Sequence, residues 1–280
     1  MIFPNRPGDS TGGRVEGSQL KGKSSTKLMF LIESTDTPSP LGAPRELISE
    51  KISVPKPFPI ISRPRLAWLL DNSLRSCTST ILSGRAGTGK TALALDFALN
   101  CGRRVSWYKV DAPEAELEVF FHYLTASIRK QRPAFGTTFS YLVRTMPPEQ
   151  ISLLAEAFVY DLGDGGGEPL LIVIEDLHLV CDSPWLVPFF KRLMPLLPAD
   201  VHLLITSRTM PPAPLWRMRS KQTLCVIDEE TLAFTKQEVT VLFKKYGLTQ
   251  EHASIALDHS HGRASAVARF AATLSEITNS

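Results

Sequence analysis

The chain has 280 residues, 43% of them hydrophobic, enough for one large domain or two smaller ones around a sizeable core. A net charge of +3 is too mild to argue for nucleic acid by itself, and no apolar run approaches the length of a membrane span, the longest being residues 170–174 and 28–32. Met1-Ile2-Phe3-Pro4 lacks the basic region and long apolar run of a signal peptide, and the four cysteines form no C-x-x-C pair, as expected of reduced, mostly buried thiols in a cytoplasmic protein.

Residues 1–45 are rich in Gly, Ser, Pro and Thr, with no sustained apolar period. They read as a disordered extension, because such a segment buries too little surface to offset its ordering entropy. Inside it, Lys27-Leu28-Met29-Phe30-Leu31-Ile32 is either an edge strand or an accidental apolar patch. The character changes at Glu46. Val54-Pro55-Lys56-Pro57-Phe58-Pro59 reads as an extended lead-in, since each proline biases its predecessor away from helix. Ser62 is placed to cap a helix carrying Pro64 early and Leu66, Leu69, Leu70 and Leu74 on its apolar face.

Next, Thr78-Ser79-Thr80-Ile81-Leu82 reads as a strand and residues 91–99 as a helix. Between them, Gly84-Arg85-Ala86-Gly87-Thr88-Gly89-Lys90-Thr91 fits G-x-x-x-x-G-K-[ST] at every fixed position. Such glycines let the backbone wrap a polyphosphate with successive N–H groups pointing at its oxygens. The lysine reaches the outer phosphates, the Thr91 hydroxyl is a Mg²⁺ ligand, and the helix N-terminus adds a favourable partial charge. A chance glycine-rich turn is the alternative, and the flanking strand and helix argue against it.

Residues 104–110 read as a second strand, 114–131 as an amphipathic helix and 148–162 as another, with Asp164-Gly165-Gly166-Gly167 as a loop. Leu170-Leu171-Ile172-Val173-Ile174 is a strand buried on both faces, and it runs into Glu175-Asp176. Acids at the C-terminal end of such a strand lie where an open α/β sheet holds its ligand. Neighbouring side chains on a strand point to opposite sides, so the two acids divide the work. One acid then serves the Mg²⁺ shell with Thr91 and its neighbour orients or deprotonates the attacking water, unless Glu175 and Asp176 merely end the strand and cap the next turn. Ser183-Pro184 starts a helix that Pro188 must shift or kink. Residues 201–206 form another buried strand ending at Ser207-Arg208, where Arg208 either reaches a γ-phosphate or is a solvated loop arginine. Residues 222–227 are a last strand. Thr235-Lys236-Gln237-Glu238 is a capping box opening a helix over 237–245, and 251–259 and 263–277 are two more helices. Asp258, His259 and His261 read as a polar helix end rather than a metal site.

Taken together these motifs resemble the NTPase domain of STAND-class signal-transduction ATPases, within them the LuxR-type transcriptional regulators related to the maltose-regulon activator. Ile60-Ile61-Ser62-Arg63-Pro64-Arg65-Leu66 resembles the segment that wraps the adenine, which implies Ile61 and Arg63 as nucleotide contacts. Gly84 to Thr91 is the phosphate loop, Leu171 to Asp176 followed by Leu177-His178 the acidic strand, and Leu203-Leu204-Ile205-Thr206-Ser207-Arg208 the sensor strand. In related ATPases the first acid lies on the metal side, which implies Glu175 for Mg²⁺ with Thr91 and Asp176 for the attacking water. Leu232-Ala233-Phe234-Thr235-Lys236-Gln237-Glu238 resembles the entry to a small helical domain. The likeness covers residues 46–273. Two departures stand out. Glu175 replaces the usual first Asp, and Gly262-Arg263-Ala264 keeps the family's glycine but not its proline, leaving Arg263 either facing a phosphate or solvated.

The resemblance implies an α/β P-loop NTPase domain over 46–230, with a mostly parallel sheet flanked by helices, and a small helical lid, read as cut short, over 231–280. It implies ATP or ADP with Mg²⁺ as cofactors, slow hydrolysis at most, and a protein partner or self-association on ATP binding. No DNA-binding element is visible in the sequence. The competing expectation is a non-hydrolysing interaction scaffold that keeps the NTPase fold.

Overall fold

Parallel strands cannot be joined by tight turns, so a chain whose apolar runs alternate with amphipathic stretches must return across its sheet through helices. In the computed structural model, which describes residues 47–56, 61–164 and 167–278, five strands do this. They are β1 (Ser79–Ser83), β2 (Arg104–Lys109), β3 (Leu170–Glu175), β4 (Val201–Ser207) and β5 (Leu224–Ile227), all paired in parallel in the order β2-β3-β4-β1-β5. The helices are α1 (Pro64–Ser76), α2 (Lys90–Asn100), α3 (Leu117–Arg129), α4 (Thr137–Thr145), α5 (Ile151–Asp164), α6 (Leu186–Leu193), α7 (Ala213–Trp216), α8 (Glu229–Leu232), α9 (Lys236–Lys245), α10 (Gln250–Ser260) and α11 (Ala264–Thr278). The extension expected over 1–45, its apolar run, residues 57–59 of the lead-in and residue 60 of the adenine-wrapping segment lie outside the described residues, as do 165 and 166 of the glycine loop.

The inner strands β1, β3 and β4 are buried at every position, as a sheet covered on both faces requires. Side chains alternate between those faces. Trp107, Leu171, Val173 and Leu204 pack against Leu66 and Leu70 of α1 and Leu93 and Phe97 of α2. On the other face Tyr108 meets an aromatic cluster in which Phe120, Phe121, Phe139, Phe158 and Phe189 lie largely edge-on. Burying each such ring contributes about 1.5–3 kcal/mol. Helices α9 to α11 form an apolar cluster of their own around Val239, Leu242, Phe243, Ala256 and Val267, with Ile61 packed against it.

Several local expectations change. Ser62 does not cap α1, because Arg63 occupies the cap position with Pro64 first in the helix. The helix expected over 114–131 is broken near its start. Asp111 closes a capping box on the single turn Ala112–Ala115, and the buried Glu114 of that turn accepts a 2.6 Å bond from Lys51 Nζ. Pro188 falls in the first turn of α6, where a missing N–H is tolerated, so it shifts the start of the helix. The short helix α4 is not among the expected elements, although Phe139 and Leu142 share its buried face. It begins after Gly136 at φ 87°, and its Phe139 N–H is satisfied by the Asp161 carboxylate of α5 at 2.8 Å. His261 ends α10 in the left-handed region, and among the described residues no cluster of His, Cys, Asp or Glu could hold a metal unaided.

One buried polar chain runs through the sheet, from Ser73 Oγ to Thr80 Oγ1 at 2.6 Å and on to His202 Nε2 at 2.8 Å. Burial, reinforced by the charge of Arg103, lowers the His202 pKa from 6.5 to about 4. The unfolded chain therefore takes up this proton near its ordinary pKa, whereas the folded chain resists until about pH 4. Stability present above pH 6.5 should be lost as pH falls towards 4, by on the order of 3 kcal/mol. Denaturant unfolding across that window should show the loss in the parent and a flatter profile in His202→Gln. An equal slope in both would contradict the assignment.

Candidate nucleotide-binding site

The phosphate loop leaves β1 at Ser83 and enters α2 at Lys90. Two of its glycines need their freedom, Gly87 at φ 81° and Gly89 at φ 88°, a region that side chains disfavour. Close approach adds a second reason. A Cβ on Gly87 would stand 2.3 Å from Ser265 Oγ, and one on Gly89 would stand 3.1 Å from Ala264 Cβ. Lys90 is buried, with its Nζ 2.5 Å from Gly84 O and 2.9 Å from Arg85 O. Burial lowers its pKa while the nearby Asp176 charge opposes that shift. Thr88 braces the turn through its hydroxyl, 2.9 Å from Arg85 O.

Because β4 lies between β1 and β3, the tips of all three strands meet on one edge. Glu175, on the face of β3 that packs against α2, accepts from Thr91 Oγ1 at 2.5 Å through Oε1 and from the buried Trp107 indole N–H at 3.2 Å through Oε2. Asp176 leaves the strand with φ 60° and ψ 36°, and its N–H donates to Thr206 Oγ1 at 3.0 Å. Asp is among the residues that tolerate this conformation, which recurs at functional sites. Its Oδ1 lies 3.7 Å from His178 Nδ1, and burial, with Arg208 and Lys90 as lesser contributors, lowers the His178 pKa. Arg208 is exposed at the tip of β4, near enough for its charge to act on both Lys90 and His178.

Arg63 and Ile61 line a cavity of about 300 Å³ beside Gly87 and Gly89. Its walls include Ala92, Leu93 and Asp96 of α2, Phe234, and Ala264, Ser265 and Ala268 of α11. The Arg63 guanidinium is already engaged, donating to Leu232 O at 2.8 Å, Ala233 O at 2.9 Å and Glu238 Oε2 at 2.9 Å, and it lies 4.0 Å from the Phe234 ring centroid. It joins the start of α1 to the start of α9, a structural task not legible in its motif.

Three further contacts grip the loop from residues that no motif singled out for that task. Ser265 N–H donates to Gly87 O at 2.9 Å, Arg263 Nε donates to Ala86 O at 3.0 Å, and Glu229 accepts from Arg85 N–H at 2.8 Å and from Arg85 Nε at 2.8 Å. Hydrogen bonding from Arg85 holds the Glu229 carboxyl below its usual range.

The donor set fits a Mg-nucleotide. The loop is glycine-rich and carries a buried lysine at the start of a helix, and the apolar cavity beside it suits a base. Thr91 and Glu175 present hard oxygens, and Mg²⁺ takes its remaining ligands from phosphates and water.

The sequence is similar to the HTH-type transcriptional regulator MalT. It is 29% identical over 197 residues to that of Vibrio cholerae, covering 66% of this chain and 20% of that protein, and 28% identical over 166 residues to that of Serratia proteamaculans, covering 59% and 18%. The chain thus spans about a fifth of the length of these relatives. No family model matches it. The fold is similar to that of a Walker-type ATPase of Pyrococcus abyssi, with TM-score 0.51 and 15% identity over 77% of this chain and 68% of that one. It is also similar to a STAND protein with a tetratricopeptide-repeat sensor from Pyrococcus horikoshii, with TM-score 0.50 and 19% identity over 79% and 30%. The fold is that of a P-loop NTPase, a parallel five-stranded sheet flanked by helices.

The crowding at Gly87 yields a direct test. Gly87→Ala should destabilise the fold by ~1–2 kcal/mol from its backbone conformation alone, plus the clash with Ser265. Thermal melts should show Ser265→Gly restoring part of the loss in the double variant. Strictly additive losses would mean that α11 does not press on the loop.

Proposed function

We propose that this chain is the nucleotide-responsive switch of a signal-transduction or transcription regulator, binding ATP or ADP with Mg²⁺ and hydrolysing ATP slowly. The observation that carries the reading is the grip of Arg263, Ser265 and Glu229 on residues 85–87 of a complete phosphate loop. A loop that must hold phosphates is thereby tied to helices beyond the sheet, which on this reading act as a lid. Ligands that differ in affinity for the docked and released arrangements shift the balance between them. Similarity to MalT and to STAND and Walker-type ATPases supports placing the switch in a regulator.

The residues divide the work as follows. The loop N–H groups and Lys90 bind phosphate oxygens, while Ile61, Leu93 and Phe234 enclose the base in the apolar cavity. Thr91 and Glu175 would hold Mg²⁺, which when bound neutralises developing charge on the outer phosphates. Asp176 orients the attacking water, and Arg208 answers the γ-phosphate from the tip of β4. Asp176 is a short side chain on a backbone turned away from the strand, so its reach is limited and turnover is slow. A protein partner or self-association in the ATP state, in the cytoplasm, completes the proposal. Among the described residues no helix is long and apolar enough to cross a membrane.

Calorimetry with Mg·ADP and Mg·ATP should find binding in the parent and roughly ten- to hundredfold weaker binding in Lys90→Ala. Folded parent protein that binds neither nucleotide would end this reading. In single-turnover assays the parent should turn over below about once per minute, against the ordinary enzyme range of roughly one per second upward. Asp176→Asn should slow that further with ATP affinity kept. A parental rate in Asp176→Asn, with hydrolysis abolished in Glu175→Gln, would show the two acids in exchanged roles.

A further inference from the structure

Trp107 lies in β2, its side chain buried on the α2 face of the sheet. Its indole N–H has one recorded acceptor, Glu175 Oε2, and that carboxylate is itself buried. The register explains the contact. Lys109 stands opposite Glu175 across β2 and β3, so Trp107, two residues earlier and on the same face as Lys109, reaches the carboxylate diagonally. The other carboxylate oxygen faces Thr91 Oγ1 at 2.5 Å. Glu175 is thus stretched between two donors on opposite sides of its carboxylate, one on β2 and one on α2.

We infer that Trp107 is a positioning residue for the metal-side acid, holding Oε2 back so that Oε1 alone is presented beside Thr91. This rests on the reading of Thr91 and Glu175 as the Mg²⁺ pair. Indole is a donor only, so it fixes one oxygen without competing for a cation. A hydrogen bond to a carboxylate is charge-assisted and stronger than a neutral pair, and the burial of Glu175 and Trp107 strengthens it. The bond also explains how a glutamate serves at this position. The extra methylene lets one side chain span the indole and the hydroxyl, and an aspartate one bond shorter could not touch both.

The test separates metal binding from nucleotide binding. Nucleotide affinity is measured by calorimetry with saturating EDTA and then across a Mg²⁺ titration, in the parent, Trp107→Phe and Glu175→Asp. Phenylalanine keeps an aromatic ring in the core and removes the N–H. The Mg²⁺ concentration for half-maximal effect should rise about tenfold in Trp107→Phe, with affinity in EDTA unchanged. If both affinities fall together, Trp107 is a packing residue only and the inference fails. Glu175→Asp gives a second route if Trp107→Phe does not fold. It should also need about tenfold more Mg²⁺ although it keeps the charge. A parental Mg²⁺ requirement in Glu175→Asp would overturn the inference. Parent protein that binds nucleotide without any Mg²⁺ dependence would overturn it too, while leaving the nucleotide site standing. Parent protein that binds no nucleotide would overturn both.

Discussion

Residues 84–89 are folded so tightly that much of what the rest of the chain touches there is backbone. The carbonyls of Gly84 and Arg85 take Lys90, that of Ala86 takes Arg263, and that of Gly87 takes the first turn of α11. This is possible because positions 87 and 89 lack a Cβ in a conformation that other residues resist. Any ligand that moves this loop must also act on α11 and, through Glu229, on the segment following β5. The coupling proposed for the switch is a consequence of that crowding, with no separate relay required.

The sheet contributes the other half of the arrangement. A parallel order with β4 inserted between β1 and β3 brings three strand ends to one edge. The lysine, the two acids and the arginine are separated in sequence yet belong to one charged neighbourhood, in which Lys90 feels both Asp176 and Arg208. The aromatic face behind β2 and β3 keeps this edge rigid. Rings such as Phe121 and Phe189, with centroids 4.6 Å apart, leave little freedom for the strands to slide.

Legibility in the sequence followed the range of the interaction concerned. The phosphate loop could be read because its chemistry imposes glycines at fixed spacing, and the inner strands because burial on both faces demands unbroken apolar runs. Helix α4 could not, since its N-terminal turn depends on the buried Asp161, 22 residues from the buried Phe139 it serves. The partners of the site were equally hidden. Trp107 and Glu175 are 68 residues apart, Arg85 and Glu229 are 144, and Arg263 and Ala86 are 177, and no local pattern encodes such pairs. Arg63 lines the cavity beside the loop while its donors hold Leu232, Ala233 and Glu238, a task its motif does not encode. Motif reading reaches groups whose chemistry imposes local spacing, and folding supplies the distant groups that hold them in place.

On the proposed reading the nucleotide reports its state through the contact between α11 and the loop. Amide hydrogen exchange at Ser265, whose N–H is bonded to Gly87 O, reads that contact directly. Protection at this amide should differ between protein saturated with Mg·ADP and protein saturated with a non-hydrolysable ATP analogue, while amides within β3 and β4 exchange alike in both. Equal protection of Ser265 in the two states, with both nucleotides shown to be bound, would contradict the account.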